Sequence, residues 1–124
     1  MLGPALAVEE TSKEMDEVRD LLWDLSIYPR YKGCRYSAMS VYLAAKDENL
    51  LEKVTQTLYP AVAELYGTNW HCVEHDIRWV VTRCWNDGGR PLLEALARRE
   101  LKTKPTALQF IEILANHFAR RWRQ

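Results

Sequence analysis

The residues best equipped for chemistry lie in one short run, His71, Cys72, Glu74, His75, Asp76, Arg78 and Trp79. Two imidazoles at i and i+4 with a thiol beside one of them can ligate a transition metal from one helix face. Only three such ligands are offered, and Glu74 is the one carboxylate placed to support them, so neither a metal nor any other cofactor is expected. Hydrogen bonding to base edges is the better fit. An arginine presents a fork to guanine N7 and O6, and a glutamate accepts from the cytosine amino group, each good pair discriminating by ~1–3 kcal/mol. Arg78 and Glu74 supply those two types. The plainer reading of the same two residues is an exposed i, i+4 ion pair worth ~0.3–0.5 kcal/mol. DNA contact is the expectation adopted for Arg78, with His75 beside it as a weaker base or phosphate contact. No Ser-His-Asp or Cys-His motif and no acid/base pair of carboxylates is recognisable, so the chain is not expected to be an enzyme.

Base reading requires these side chains on the exposed face of a firmly seated helix. Val73, Ile77, Val80, Val81 and Cys84 form one apolar stripe at helical spacing, which supplies the seat. A short helix over 60–66 precedes it and ends at Gly67, a residue free to take the left-handed backbone of a helix C-terminus. Thr68 or Asn69 then caps the next helix. Together these make a helix-turn-helix layout over about 60–86, the arrangement that projects its second helix into a major groove.

The rest of the chain reads as helical too. Thr11 and Glu14 form a capping pair ahead of Met15, Val18, Leu22 and Leu25, which predicts a helix over 12–26. Pro29 and Gly33 interrupt, and Tyr36, Met39 and Leu43 mark a helix over 36–46. Leu50, Leu51, Val54 and Leu58 repeat the helical period, a short helix covers 91–98, and Thr106 with Gln109 opens a last helix carrying Leu108, Ile111, Leu114 and Phe118. No strand-like alternation competes. The expected fold is all-α, a compact bundle of about six helices containing a helix-turn-helix, with an N-terminal tail at 1–11 and a single domain at 12–124.

The chain's 124 residues and 14.5 kDa suit one core. Seventeen Lys+Arg balance seventeen Asp+Glu, which excludes a generally basic nucleic-acid coat. The balance is uneven along the chain: 1–52 holds six basic and ten acidic residues, net −4, and 98–124 holds seven basic and two acidic, net +5. Such asymmetry can present a local basic surface. Lys102, Lys104, Arg120, Arg121 and Arg123 either clamp a DNA backbone or dress the end of the last helix with cations that favour its dipole. Three cysteines without a CxxC pair point to a reducing cytoplasm. Cys72 is expected exposed and Cys84 in the core. No apolar stretch is long enough for a membrane span, and no membrane partner is expected. Trp23, Trp85 and Trp122 read as core or helix-packing residues, whereas Trp70 and Trp79 flank or sit on the presumed reading helix, where aromatics suit a partner surface.

Tyr31-Lys32-Gly33, Leu58-Tyr59-Pro60, the Val73-Glu74 and Ile77-Arg78 pairs, Trp85, and Lys104-Pro105-Thr106 before Phe110 carry a more specific signal. Over about 18–118 the sequence resembles the C-terminal DNA-binding effector domain of the stage zero sporulation protein A family, the response regulators that commit spore-forming Firmicutes to sporulation. The resemblance implies an all-helical domain of about six helices and a sequence-specific transcription regulator. It implies double-stranded DNA as partner, bound by a homodimer or tandem pair, and a contact with RNA polymerase, through its sigma subunit, by the surface after the reading helix. Thr68, Asn69, His71, Cys72, Glu74, His75, Arg78, Trp79, Lys102 and Lys104 are the residues expected at the DNA. Family members carry a receiver domain ahead of this region, and with only about ten residues before the first helix this chain is expected to lack one. Where the family pattern has arginines this sequence has Cys72 and His75, and Asp76 and Trp79 stand for a small residue and a histidine. Neither a thiol nor a neutral imidazole reproduces the arginine fork, and 68–90 carries three basic and three acidic residues. The operator preference is therefore expected to differ from the family's. The alternative is a divergent stand-alone relative that has lost base readout and works as a protein-interaction module on a regulator or polymerase.

Overall fold

The computed structural model describes the backbone of residues 5–123 and the side chains of 13–123. Six α-helices and one 3-10 turn follow in order: α1 Ala5–Asp24, α2 Lys32–Lys46, a 3-10 turn at Glu48–Leu51, α3 Leu58–Leu65, α4 Trp70–Asn86, α5 Arg90–Ala97 and α6 Ala107–Trp122. The described residues hold no strand. The all-α expectation is met.

α2 is the centre of the bundle, touching α1, α3, α4 and α6. Its buried residues include Tyr36, Ala38, Val41 and Ala44, and two serines, Ser37 and Ser40, with no exposed surface. Gly33, in its first turn, decides how close α4 can come. A Cβ there would stand 2.2 Å from the Asp76 carbonyl oxygen and 2.7 Å from Val80 Cγ1. Only a glycine lets the two backbones meet at this point. α6 closes the core with Phe110, Ile111, Leu114 and Phe118, and its start is fixed by Thr106 and Gln109. Gln109 N–H donates to Thr106 Oγ1 at 3.1 Å and Thr106 N–H donates to Gln109 Oε1 at 2.9 Å, the reciprocal capping that the sequence predicts.

Three sequence expectations are corrected. The backbone of α1 is helical from Ala5, so the Thr11/Glu14 pair lies inside a helix rather than opening one; residues 5–12 contain neither Gly nor Pro to stop it. Of the expected tail at 1–11, residues 1–4 lie outside the described residues. The helical period of Leu50, Leu51, Val54 and Leu58 does not form one helix. The Asp47 side chain accepts from Asn49 N–H at 3.1 Å to start a 3-10 turn, and the Thr57 hydroxyl lies 2.9 Å from the Leu50 and Lys53 carbonyl oxygens. These local bonds compete with helix continuation, so α3 begins only at Leu58. Trp23, expected as a core or helix-packing residue, is 58% exposed and outside the core. It follows Leu22 on the outer side of α1 and rests on the Tyr28 ring instead, with centroids 4.8 Å apart.

Candidate nucleic-acid interface

α3 and α4 are joined across residues 66–69, and each part of that joint has a local cause. Gly67 takes φ +66, which lets the chain reverse so that Thr68 N–H reaches back to the Ala63 carbonyl at 3.0 Å. Asn69 is the cap: its Oδ1 accepts from Cys72 N–H at 3.0 Å. Its amide nitrogen remains as a donor. α4 is then seated by Val73, Ile77, Val80, Val81 and Cys84, all buried. Burial pushes the Cys84 thiol up to about 12, so it behaves as a small apolar group.

The opposite side of α4 gathers most of the expected site. His71, His75 and Arg78 are exposed and Glu74 half-buried; residues three and four apart share a helix face. Arg78 donates to Glu74 Oε1 at 2.9 Å, and His75 Nδ1 lies 3.2 Å from Asp76 Oδ1. Arg83 is paired with Asp87 at 3.4 Å. Each basic group of α4 above His71 thus has a carboxylate beside it. Beneath Glu74, burial and then the charges of Glu74 and Glu112 push the Tyr59 phenol up to about 12.

His71 stacks on the Trp70 ring at 3.7 Å between centroids, while His75 turns to Asp76. The two imidazoles therefore have different neighbours. Cys72 is exposed, as is Lys102. Lys104 reaches across to α4 and donates to Thr82 Oγ1 at 2.9 Å, so the basic connector between α5 and α6, residues 98–106, lies against the same helix as Arg78. Thr68 is half-buried at the turn. Arg121 does not serve the connector: its Nε donates to Glu17, with Trp122 Nε1 donating to the same Oε1, and these bonds tie α6 to α1. The arginine hydrogen bond holds the Glu17 carboxyl below its ordinary value.

Trp79, 46% exposed, lies on the flank of α4 that turns toward the α1–α2 loop. Its ring meets Tyr31 edge-on at 5.0 Å, Tyr31 meets Tyr28 at 6.0 Å, and Tyr28 meets Trp23. Arg83 and Arg30 lie over these rings at 5.0–6.0 Å. The sequence singles out Trp79 and not this strip. Its signal was present in Tyr28-Pro29-Arg30-Tyr31, aromatics interleaved with arginine at the end of a helix.

A family model described as sporulation initiation factor Spo0A C terminal matches residues 18–118. The chain belongs to that family. The Spo0A C-terminal family is one of DNA-binding regulatory domains in sporulation and not of enzymes. Its matched span begins within α1 and ends within α6, so it takes in the α3–α4 joint and all ten expected site residues. Among the described residues, no helix is long and apolar enough to cross a membrane.

Proposed function

We propose that this domain is a sequence-specific, DNA-binding transcription regulator that inserts α4 into the major groove, acting in the cytoplasm on chromosomal DNA. The observation that carries the reading is the α3–α4 joint, with Gly67 and Asn69 setting the turn and His71, Glu74, His75 and Arg78 left on the outward face. Arg78, Glu74 and His75 meet base edges, with Cys72 and Trp79 at the margin. Thr68, Asn69, Lys102 and Lys104 meet phosphates, and the Lys104–Thr82 bond supports this role for the connector. The domain binds as a homodimer or tandem pair and contacts the RNA polymerase sigma subunit beyond α4. Because Arg78 begins in a bond to Glu74, base reading exchanges that bond for a guanine, and the operator preference departs from the family's.

Fluorescence anisotropy with the family operator, a randomised duplex pool and a salt series tests this. Specific binding that Arg78→Ala weakens by ~1–3 kcal/mol is expected. Absence of binding at about 50 mM salt, where phosphate contacts are strongest, removes the reading.

One observation favours a second reading. The aromatic strip from Trp23 to Trp79 is exposed at both ends and half-buried between, beside a reading helix whose basic groups are neutralised locally. Exposed aromatics with arginine are the composition of protein-interaction hot spots. On this reading the domain pairs with another regulator or with polymerase through that strip, and Trp79→Ala abolishes the pairing while leaving duplex binding at zero.

A further inference from the structure

Away from α4, the end of α5 and the outer side of α6 enclose a recess of about 250 Å³. Arg98, Arg99 and Arg120 line it together with Gln109, Asn116 and Glu112. Within the described residues, every other arginine from Arg19 to Arg121 is either held by a carboxylate or lies over an aromatic ring. These three have neither, and Glu112, the one acidic residue of the lining, is not within ion-pair distance of any of them.

Two further features point the same way. Arg98 ends α5 in the left-handed region at φ 60, a place where glycine is usual. A bulky residue held there is a strained position of the kind that collects at ligand sites. Gln109 spends its Oε1 on the α6 cap, so its amide group remains as a donor. The cationic character reaches His117 on the next face of α6, whose pKa is lowered first by burial and then by Arg120, Arg121 and Arg98.

We propose that this recess binds a small ligand carrying a phosphate dianion, held by Arg98, Arg99 and Arg120, with a hydroxyl or amine of the ligand donating to Glu112. Guanidinium forks match phosphate oxygens in pairs. Charge selects the dianion: three arginines against one glutamate leave a surplus of two, which a phosphate monoester balances and a carboxylate does not. The volume lies below the roughly 300–1,000 Å³ of drug-sized ligand sites, so the ligand is small. The recess is lined by no residue of α4 and does not depend on the DNA-binding reading.

NMR titration of the domain with inorganic phosphate tests the proposal, with acetate at matched ionic strength as the monoanion. Saturable shifts confined to the end of α5 and the facing part of α6 are expected, weaker or absent with acetate. Arg120→Gln and Arg98→Gly each weaken binding about tenfold or more, the loss of a charge-assisted bond. Arg98→Gly also suits the backbone, so a folding defect does not obscure the result. Lys53→Gln, an equal charge loss elsewhere, leaves binding unchanged. Shifts spread over all cationic surfaces, equal binding of acetate, or an equal loss in Lys53→Gln overturns the proposal. Displacement of the bound phosphate by a short DNA duplex also overturns it, since the arginines then belong to a DNA backbone contact.

Discussion

The outward face of α4 and the recess between α5 and α6 use arginine in opposite ways. On α4, Arg78 and Arg83 each stand four residues from a carboxylate and bond to it, and His75 adjoins Asp76. In the recess, three arginines stand together with no ion pair. A neutral total charge hides both arrangements. Local pairing removes long-range attraction from a surface while keeping groups that can exchange partners on contact, whereas unpaired clustering keeps the attraction and waits for an anion. On the proposed reading, non-specific DNA affinity comes from the flanks of α4, through Lys102 and Lys104, more than from the helix itself.

The largest expected effect falls on the seat of α4, without which its face has no fixed position. Ile77→Ala removes a fully buried side chain and is expected to cost about 2–5 kcal/mol in urea unfolding. Gly33→Ala forces a methyl group against the Asp76 carbonyl and costs about 1–3 kcal/mol. Both variants lose duplex binding along with stability. Substitutions in the recess leave α4 in place, so their effects on phosphate and on duplex separate.

Next in size are changes to the pairing on α4. Glu74→Gln releases Arg78 and removes a negative charge from the face proposed to meet DNA, so non-specific duplex affinity is expected to rise and its salt dependence to steepen. Lys104→Ala weakens binding nearly equally on all sequences and lowers the salt slope by about one. Anisotropy over a salt series reads both. An unchanged affinity in Glu74→Gln shows that Arg78 already leaves its partner at no cost, which narrows the contrast between the two regions.

Much of the α4 region and the start of α6 was legible because both are governed by local rules. The apolar stripe from Val73 to Cys84, the left-handed Gly67 and the Thr106–Gln109 cap all depend on residues a few positions apart. The misses depend on distant partners. Nothing around Gly33 announces that Asp76 will press on it, and nothing in the period of Leu50 to Leu58 announces that the Thr57 hydroxyl takes the carbonyls. Trp23 is large and apolar, yet it stands off the stripe of Met15, Val18, Leu22 and Leu25, and Leu22 and Leu25 fill the inner side of α1. Arg98 and Arg99 read as part of a basic connector, because Arg120, their neighbour in space, lies a helix away in sequence.

A smaller effect of opposite sign distinguishes the recess. Arg98→Gly replaces a left-handed arginine by the residue that adopts that backbone freely, and should raise stability by about 1 kcal/mol while phosphate binding falls. A gain in stability coupled to a loss of binding is the signature of strain kept for a ligand. If stability falls instead, the guanidinium of Arg98 supports the fold and the recess resembles the paired face of α4 after all.

The smallest effect is read by pH and reports whether the recess is electropositive in solution. His117 has its folded pKa lowered from the ordinary 6.5, first by burial and then by Arg120, Arg121 and Arg98. In the unfolded chain it takes up a proton as pH falls through about 6.5, while in the folded protein it stays neutral to lower pH. The unfolded state then binds more protons, so stability must decline as pH falls from about 7 toward 5. Glu17 and Glu94 also have lowered values, from an ordinary 4.5, and weaken the fold only in more acidic solution. The two windows are therefore separable by thermal unfolding at stepped pH. His117→Gln flattens the upper window. Arg120→Gln reduces its slope only in part, because burial, the larger cause, remains.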